Sequence, residues 1–157
     1  IYVAQINFGQ AYKKIPTRVK DLLKKVGLIF LATADKAGNP NVSPRTAYHI
    51  LDDETIAICD WFRSKTFWNW QENNKMSIAV VDLDSYEGYQ LKGECFLLTD
   101  VNKIKEIMRK IFTEGSHKEF NRTMQLLGHG YPPIIVLFKC KGVFSLAPGE
   151  QMREILE

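Results

Sequence analysis

Apolar residues at Val19, Leu22, Leu23 and Val26 recur at i, i+3, i+4 and i+7, which predicts an amphipathic helix that starts near Pro16 and is closed by Gly27. Arg18, Lys20, Lys24 and Lys25 fall on its other face, read as basic and solvated. Residues 1–15 show no period and are expected to be an extended arm. Beyond the helix the runs shorten to strand length. Residues 28–34 are continuously apolar and end in the turn-rich DKAGNP; 41–51 form a second extended run, and 55–61 a third after a short turn. Ser64 is a good N-cap for the helical residues that follow. Residues 76–83 read as a fourth strand. In a fifth, Tyr89, Leu91, Gly93 and Cys95 alternate with Gln90, Lys92 and Glu94, with Gly88 and Gly93 marking bends.

Asp100 is placed to cap a helix whose stripe is Val101, Ile104, Ile107, Met108, Ile111 and Phe112, ended by Gly115. Phe120, Met124 and Leu127 predict another helix, the loop GHGYPP leads into a sixth strand at 134–146, and PGEQMREILE reads as a short terminal helix. Six strands in mostly antiparallel succession, with helices at the margins, predict a mainly β protein with α additions, an α+β fold built on a small six-stranded antiparallel barrel. With no repeat, low-complexity stretch or second composition zone, residues 1–157 are expected to be one domain.

Charge narrows the function classes. Lys plus Arg number 21 against 18 Asp plus Glu, a net +3 with the signs mixed along the chain, too weak a bias to indicate nucleic acid or a membrane surface. No apolar run approaches the about 20 residues needed to span a bilayer, and the N-terminal residues lack a signal-peptide pattern, so a cytoplasmic location is expected. Cys59, Cys95 and Cys140 are odd in number and sit in apolar runs, as reduced core cysteines do. The sequons at Asn41 and Asn121 then carry no modification. His49, His117 and His129 lack metal-ligand spacing, so no metal is expected, and the common hydrolase, NTPase and dinucleotide signatures are absent. Asp52 with Asp53, and Asp82 with Asp84, read as turn residues.

The informative stretch is DWFRSKTFWNW at 60–70. Here a strand ends, Ser64 opens a helix, and Arg63 and Lys65 crowd the positive end of its dipole. An anion relieves that placement. Free backbone N–H groups, the Ser64 and Thr66 hydroxyls and the Lys65 ammonium can converge on a phosphate, with Arg45 on the preceding strand closing the cradle. Trp61, Phe62, Phe67, Trp68 and Trp70 cluster around it; the three-residue spacing of Phe67 and Trp70 suits the core, whereas Trp61 and Trp68 suit the wall of a slot for a flat ligand.

In this order, GLIFLATADKAGNPNVSPRTAYHI, TIAICDWFRSKTFWNWQENNKMSIAVVD and YQLKGECFLLTD resemble the split barrels that bind flavin mononucleotide, whose best-known member is pyridoxine/pyridoxamine 5′-phosphate oxidase. The resemblance covers roughly residues 22–100. It implies that Arg45 and Lys65 bind the phosphate with Ser64 and Thr66 as hydroxyl partners, that the backbone of Thr46, Ala47 and Tyr48 borders the flavin ring, and that Cys59 and Asp60 end the neighbouring strand. It also implies a homodimer with the flavin at its interface. The chain departs from the oxidase members: its final residues hold no Trp, and Gln90 stands out of register with the Gln that contacts the flavin in them. The resemblance thus implies a flavin-dependent oxidoreductase acting on an unidentified small molecule rather than on vitamin B6. Its alternatives are a flavin or haem carrier or sensor, and deazaflavin in place of flavin. No catalytic residue is named; Tyr48 and His49 are the nearest titratable side chains, and strand alternation lets only one of them face a pocket.

Overall fold

In the computed structural model, residues 12–114 and 133–147 are described. The elements run α1 (Thr17–Val26), β1 (Ile29–Ala34), β2 (Pro40–Arg45), β3 (Tyr48–Ile50), β4 (Thr55–Asp60), α2 (Lys65–Glu72), β5 (Lys75–Val81), β6 (Gly88–Leu97), α3 (Val101–Glu114) and β7 (Ile134–Ser145). The expected end of the third helix at Gly115, the helix beyond it, the GHGYPP loop up to residue 132, the terminal segment PGEQMREILE and most of the N-terminal arm lie outside the described residues.

α1 behaves as its period requires. Val19, Leu22 and Leu23 are buried, and Gly27 takes the left-handed φ of 68° that lets its N–H close on the Leu23 carbonyl. α3 opens on Asp100, whose Oδ1 accepts from the backbone N–H groups of Asn102 and Lys103.

All strand pairings are antiparallel, in the order β2-β1-β5-β6-β7-β4-β3. β2 and β3 stand at opposite ends of this order, yet only Thr46 and Ala47 join them. Laid flat, seven strands would separate the two edges by about 29 Å, at about 4.8 Å per strand, and a two-residue link reaches only about 11 Å. The sheet must therefore curl until its edges meet, giving a half-barrel. This corrects the expected count of six: the run 41–51 is two strands, because the chain leaves one edge at Arg45 and joins the other at Tyr48.

Two apolar clusters pack on opposite faces of the curled sheet. One gathers Ile29, Leu31, Ile56, Ile58, Ile78, Val80, Leu91 and Phe138 with Val19, Leu22 and Leu23 of α1. The other joins Ala57, Cys59 and Ile135 to Ile107 and Ile111 of α3. Alternate residues of β4 thus enter different clusters, and all six are buried, which explains its unbroken apolar run. The basic face of α1 is solvated as expected at Arg18, Lys24 and Lys25, while Lys20 is half-buried; Lys20 pairs with Asp53 at 2.6 Å and Lys25 with Asp82. Asp82 anchors its turn through Asp84 N–H and the Ser85 hydroxyl, and Asp52 accepts from Glu54 N–H in the turn before β4, as turn residues do. β6 carries a bulge between Lys92 and Gly93.

Candidate functional site

The crossing from β2 to β3 brings the strand residues of the predicted site together. Cys59 N–H donates to the Ala47 carbonyl at 2.9 Å, and Tyr48 is in register with Ile58, so the Thr46 to Tyr48 backbone runs beside the end of β4. Across the same seam Arg45 Nη2 lies 3.6 Å from Asp60 Oδ1; the carboxylate is fully buried and the guanidinium nearly so. Arg45 Nη1 donates to the Pro44 carbonyl, and Asp60 Oδ1 accepts from Phe62 N–H. Arg45 Nε and Nη2 and Asp60 Oδ2 are buried without a hydrogen-bond partner among the described residues. Buried polar atoms are normally satisfied, so these three mark a place suited to further polar contact.

Four residues past Asp60, Ser64 opens α2. Its side chain makes no cap bond, the first turn holds no acidic residue, and Lys65 is exposed at the first helical position. The helix start thus offers unpaired N–H groups, a hydroxyl and an ammonium to an anion. Arg63, just upstream, holds a left-handed φ of 44°, uncommon for a residue with a side chain, and its guanidinium lies over the Phe67 ring.

Thr66 points inward. Fully buried, its hydroxyl meets Ser43 Oγ at 2.8 Å and accepts from Asn41 Nδ2 at 3.1 Å, so its backbone N–H is what it offers an anion. Asn41 and Ser43 were not singled out in the sequence, although polar residues at 41, 43 and 45 share the two-residue period of one strand face.

Of the two titratable candidates, Tyr48 turns into the core. Its hydroxyl donates to the Leu23 carbonyl at 2.5 Å, and burial pushes its pKa above the ordinary tyrosine value. Only its backbone borders the seam, and alternation sends His49 to the other face. Burial, reinforced by the Asp60 charge, pushes the Cys59 thiol up to about 12. Trp61 packs against Phe112 of α3 and Trp70 is buried, while Phe62 and Trp68 remain exposed. A separate cleft of about 530 Å³, lined by Ala32, Ser77, Lys75, Lys92, Glu94 and Lys141 among others, contains none of the nine predicted residues. Among the described residues no group of three His, Cys, Asp or Glu is placed to hold a metal ion, and no helix is long and apolar enough to cross a membrane.

An antiparallel sheet curled into a half-barrel, with a helix start carrying cations beside its seam, defines the split-barrel class. The family model for pyridoxamine 5′-phosphate oxidase matches residues 15–125, and the chain belongs to that family. An uncharacterized protein of Methanocaldococcus jannaschii is 36% identical over 92 residues, covering 57% of this chain and 60% of that relative. The chain thus matches less than two thirds of the relative's length. Among solved structures, HutZ, the heme storage protein from Vibrio cholerae, superposes with a TM-score of 0.64 at 14% identity over 84% of this chain and 94% of its own. An FMN-binding protein from Syntrophomonas wolfei gives 0.60 at 18% identity over 82% and 88%. At such identities these two establish the shared fold.

Proposed function

We propose that this chain binds flavin mononucleotide and uses it in a redox reaction on a small molecule, as a homodimer with the flavin between the copies. The observation that carries this reading is the buried Arg45–Asp60 pair, whose unsatisfied polar atoms lie at the seam just ahead of the uncapped start of α2. Arg45 and Lys65 would hold the phosphate, joined by the Ser64 hydroxyl and the first N–H groups of α2. Asp60 orients the guanidinium and compensates its charge out of water. The backbone of Thr46, Ala47 and Tyr48 beside Cys59 would border the ring. When bound, the flavin supplies the electron-transfer chemistry. Cys59 stays a protonated thiol at neutral pH and takes no part as a nucleophile.

A homodimer fits the separation of the cleft from the cationic site. A ring anchored through Arg45 and Lys65 needs a second wall, and the outer face of β1, β5 and β6, with the cleft and the exposed Phe30 and Val81, is suited to provide it from another copy.

The test is a visible spectrum of the purified chain, with mass spectrometry of what heat releases. Oxidised-flavin bands and the mass of flavin mononucleotide are expected. A colourless protein that also refuses added flavin would sink the reading, and released haem would turn it toward the role named for the Vibrio protein. Lys65→Ala, and then Lys65→Ala with Arg45→Ala, are expected to weaken flavin binding by about 1.5–3 kcal/mol for each charge-assisted bond lost. Unchanged affinity in the double variant removes both residues from the site.

A further inference from the structure

We propose that a partly buried network of uncharged side chains, Asn41 and Ser43 on β2, Thr33 on β1, and Thr66 and Asn69 on α2, sets the spacing between the two halves of the phosphate cradle and so selects phosphorylated over unphosphorylated flavin. The inference rests on the reading that Arg45 and Lys65 hold a phosphate.

The geometry closes on itself. Ser43 Oγ meets Thr66 Oγ1 at 2.8 Å; Asn41 Nδ2 donates to Thr66 Oγ1 at 3.1 Å and to Thr33 Oγ1 at 3.4 Å. Asn69 Nδ2, one turn further along α2, donates to Thr33 Oγ1 at 3.0 Å. α2 is therefore held at two points along its length, Thr66 and Asn69, against two adjacent strands. Thr33, Thr66 and Asn69 are all buried, where such bonds are costly to break.

Position gives the network its function. Asn41, Ser43 and Arg45 occupy the same, half-buried face of β2. Ser43 stands two residues, about 7 Å, from Arg45, and Thr66 directly follows Lys65. One hydroxyl contact thus ties the strand face carrying one cation to the helix turn carrying the other. Among the described residues β2 is an edge strand laddered to β1 alone, and these bonds tie its free face to α2. Apolar packing alone is non-directional and tolerates sliding; hydrogen bonds hold to a few tenths of an ångström. The uncharged members also matter, because a carboxylate here would compete with the phosphate for Arg45 and Lys65.

Ser43→Ala with Asn41→Ala removes both β2 contacts to Thr66 and leaves Arg45, Ser64 and Lys65 in place. The full chain and this variant are titrated with flavin mononucleotide and with riboflavin, which lacks only the phosphate, and thermal melts are recorded alongside. Flavin mononucleotide affinity is expected to fall roughly tenfold, the scale of one misaligned charge-assisted bond, while riboflavin affinity holds. Ser43→Thr, which keeps the hydroxyl, is expected to retain the preference. A variant that melts earlier but keeps the original ratio of the two affinities overturns the inference and leaves the network as packing. If the double substitution prevents folding, Ser43→Ala alone is judged by the same ratio, and an unchanged ratio again overturns it. An unaltered chain with no preference for the phosphorylated flavin removes the phosphate reading and this inference together, so the two failures separate on the unaltered protein.

Discussion

At pH 8 the thiols of Cys59 and Cys95 remain protonated, because burial pushes each up to about 12. Cys140 is buried as well, and none of the three is in a disulfide. A thiol-titrating reagent is therefore expected to find no rapidly reacting cysteine in the native chain at pH 8 and three after denaturation; fast native labelling of Cys59 would contradict its place beneath α3. Asp82 lies at the opposite extreme. Hydrogen bonds from Lys25 and then Ser85 hold its carboxyl down at about 2, below its ordinary 3.8. A folded pKa below the unfolded one means that the unfolded chain takes up the proton more readily. The stabilisation is thus fully present above about pH 4 and is lost as pH falls toward 2. Lys25→Met is expected to flatten the acid limb of a melting-temperature profile in that window, and a profile that keeps its slope would show that the pair contributes nothing there. Of the charged members of the candidate site, the sequence marks Lys65 because it stands where a helix start disfavours a cation, whereas Arg45 is added from the preceding strand and Asp60 comes only with the family resemblance. The anchors carry no such mark. Asn41 and Ser43 look like ordinary strand polar residues until Thr66 is seen turned toward them.

Gly93 shows what a strand element can demand of one position. A Cβ there would collide with the Lys139 carbonyl oxygen and come within 2.6 Å of the Phe138 ring, at the bulge where β6 crosses β7. The backbone oxygen cannot swing aside as a side chain can. Gly93→Ala is expected to destabilise the fold by about 1–3 kcal/mol, the usual cost of overpacking, read as a shift in denaturant midpoint; a neutral result would mean that the bulge relaxes freely. The sequence marked this residue as a bend and placed α1, β4, β5 and β6 to within a few residues, since each has a clear period or an unbroken apolar run. It joined β2 to β3. SPRTAYHI contains no turn signal at Thr46 and Ala47, and what divides the run is the meeting of two sheet edges, which no local pattern encodes.

For the whole molecule, assembly and cofactor binding are expected to rise and fall together. Phe30, in register with Ala79 on the outer face of β1 and β5, is 45% exposed. On the proposed dimer, Phe30→Glu would bury a charge between the copies, a costly exchange, and sedimentation is then expected to show a monomer that has also lost flavin. A monomer that retains flavin at full affinity would place the whole site within one chain.

The sheet order also governs how the chain can fold. β7 is the one strand that joins β2-β1-β5-β6 to β4-β3, and its contact with β4 sets Thr55 against Lys139, 84 positions later in the chain. Pairings that distant must meet their loop-closure entropy before they return any energy, which places such topologies among the slow folders, in the millisecond-to-second range. Until β7 arrives, β4 and β6 each present an unpaired edge, the kind of surface on which neighbouring chains aggregate. During synthesis those edges stay open through the whole interval between β6 and β7, and that interval is when the chain most needs protection from its own copies.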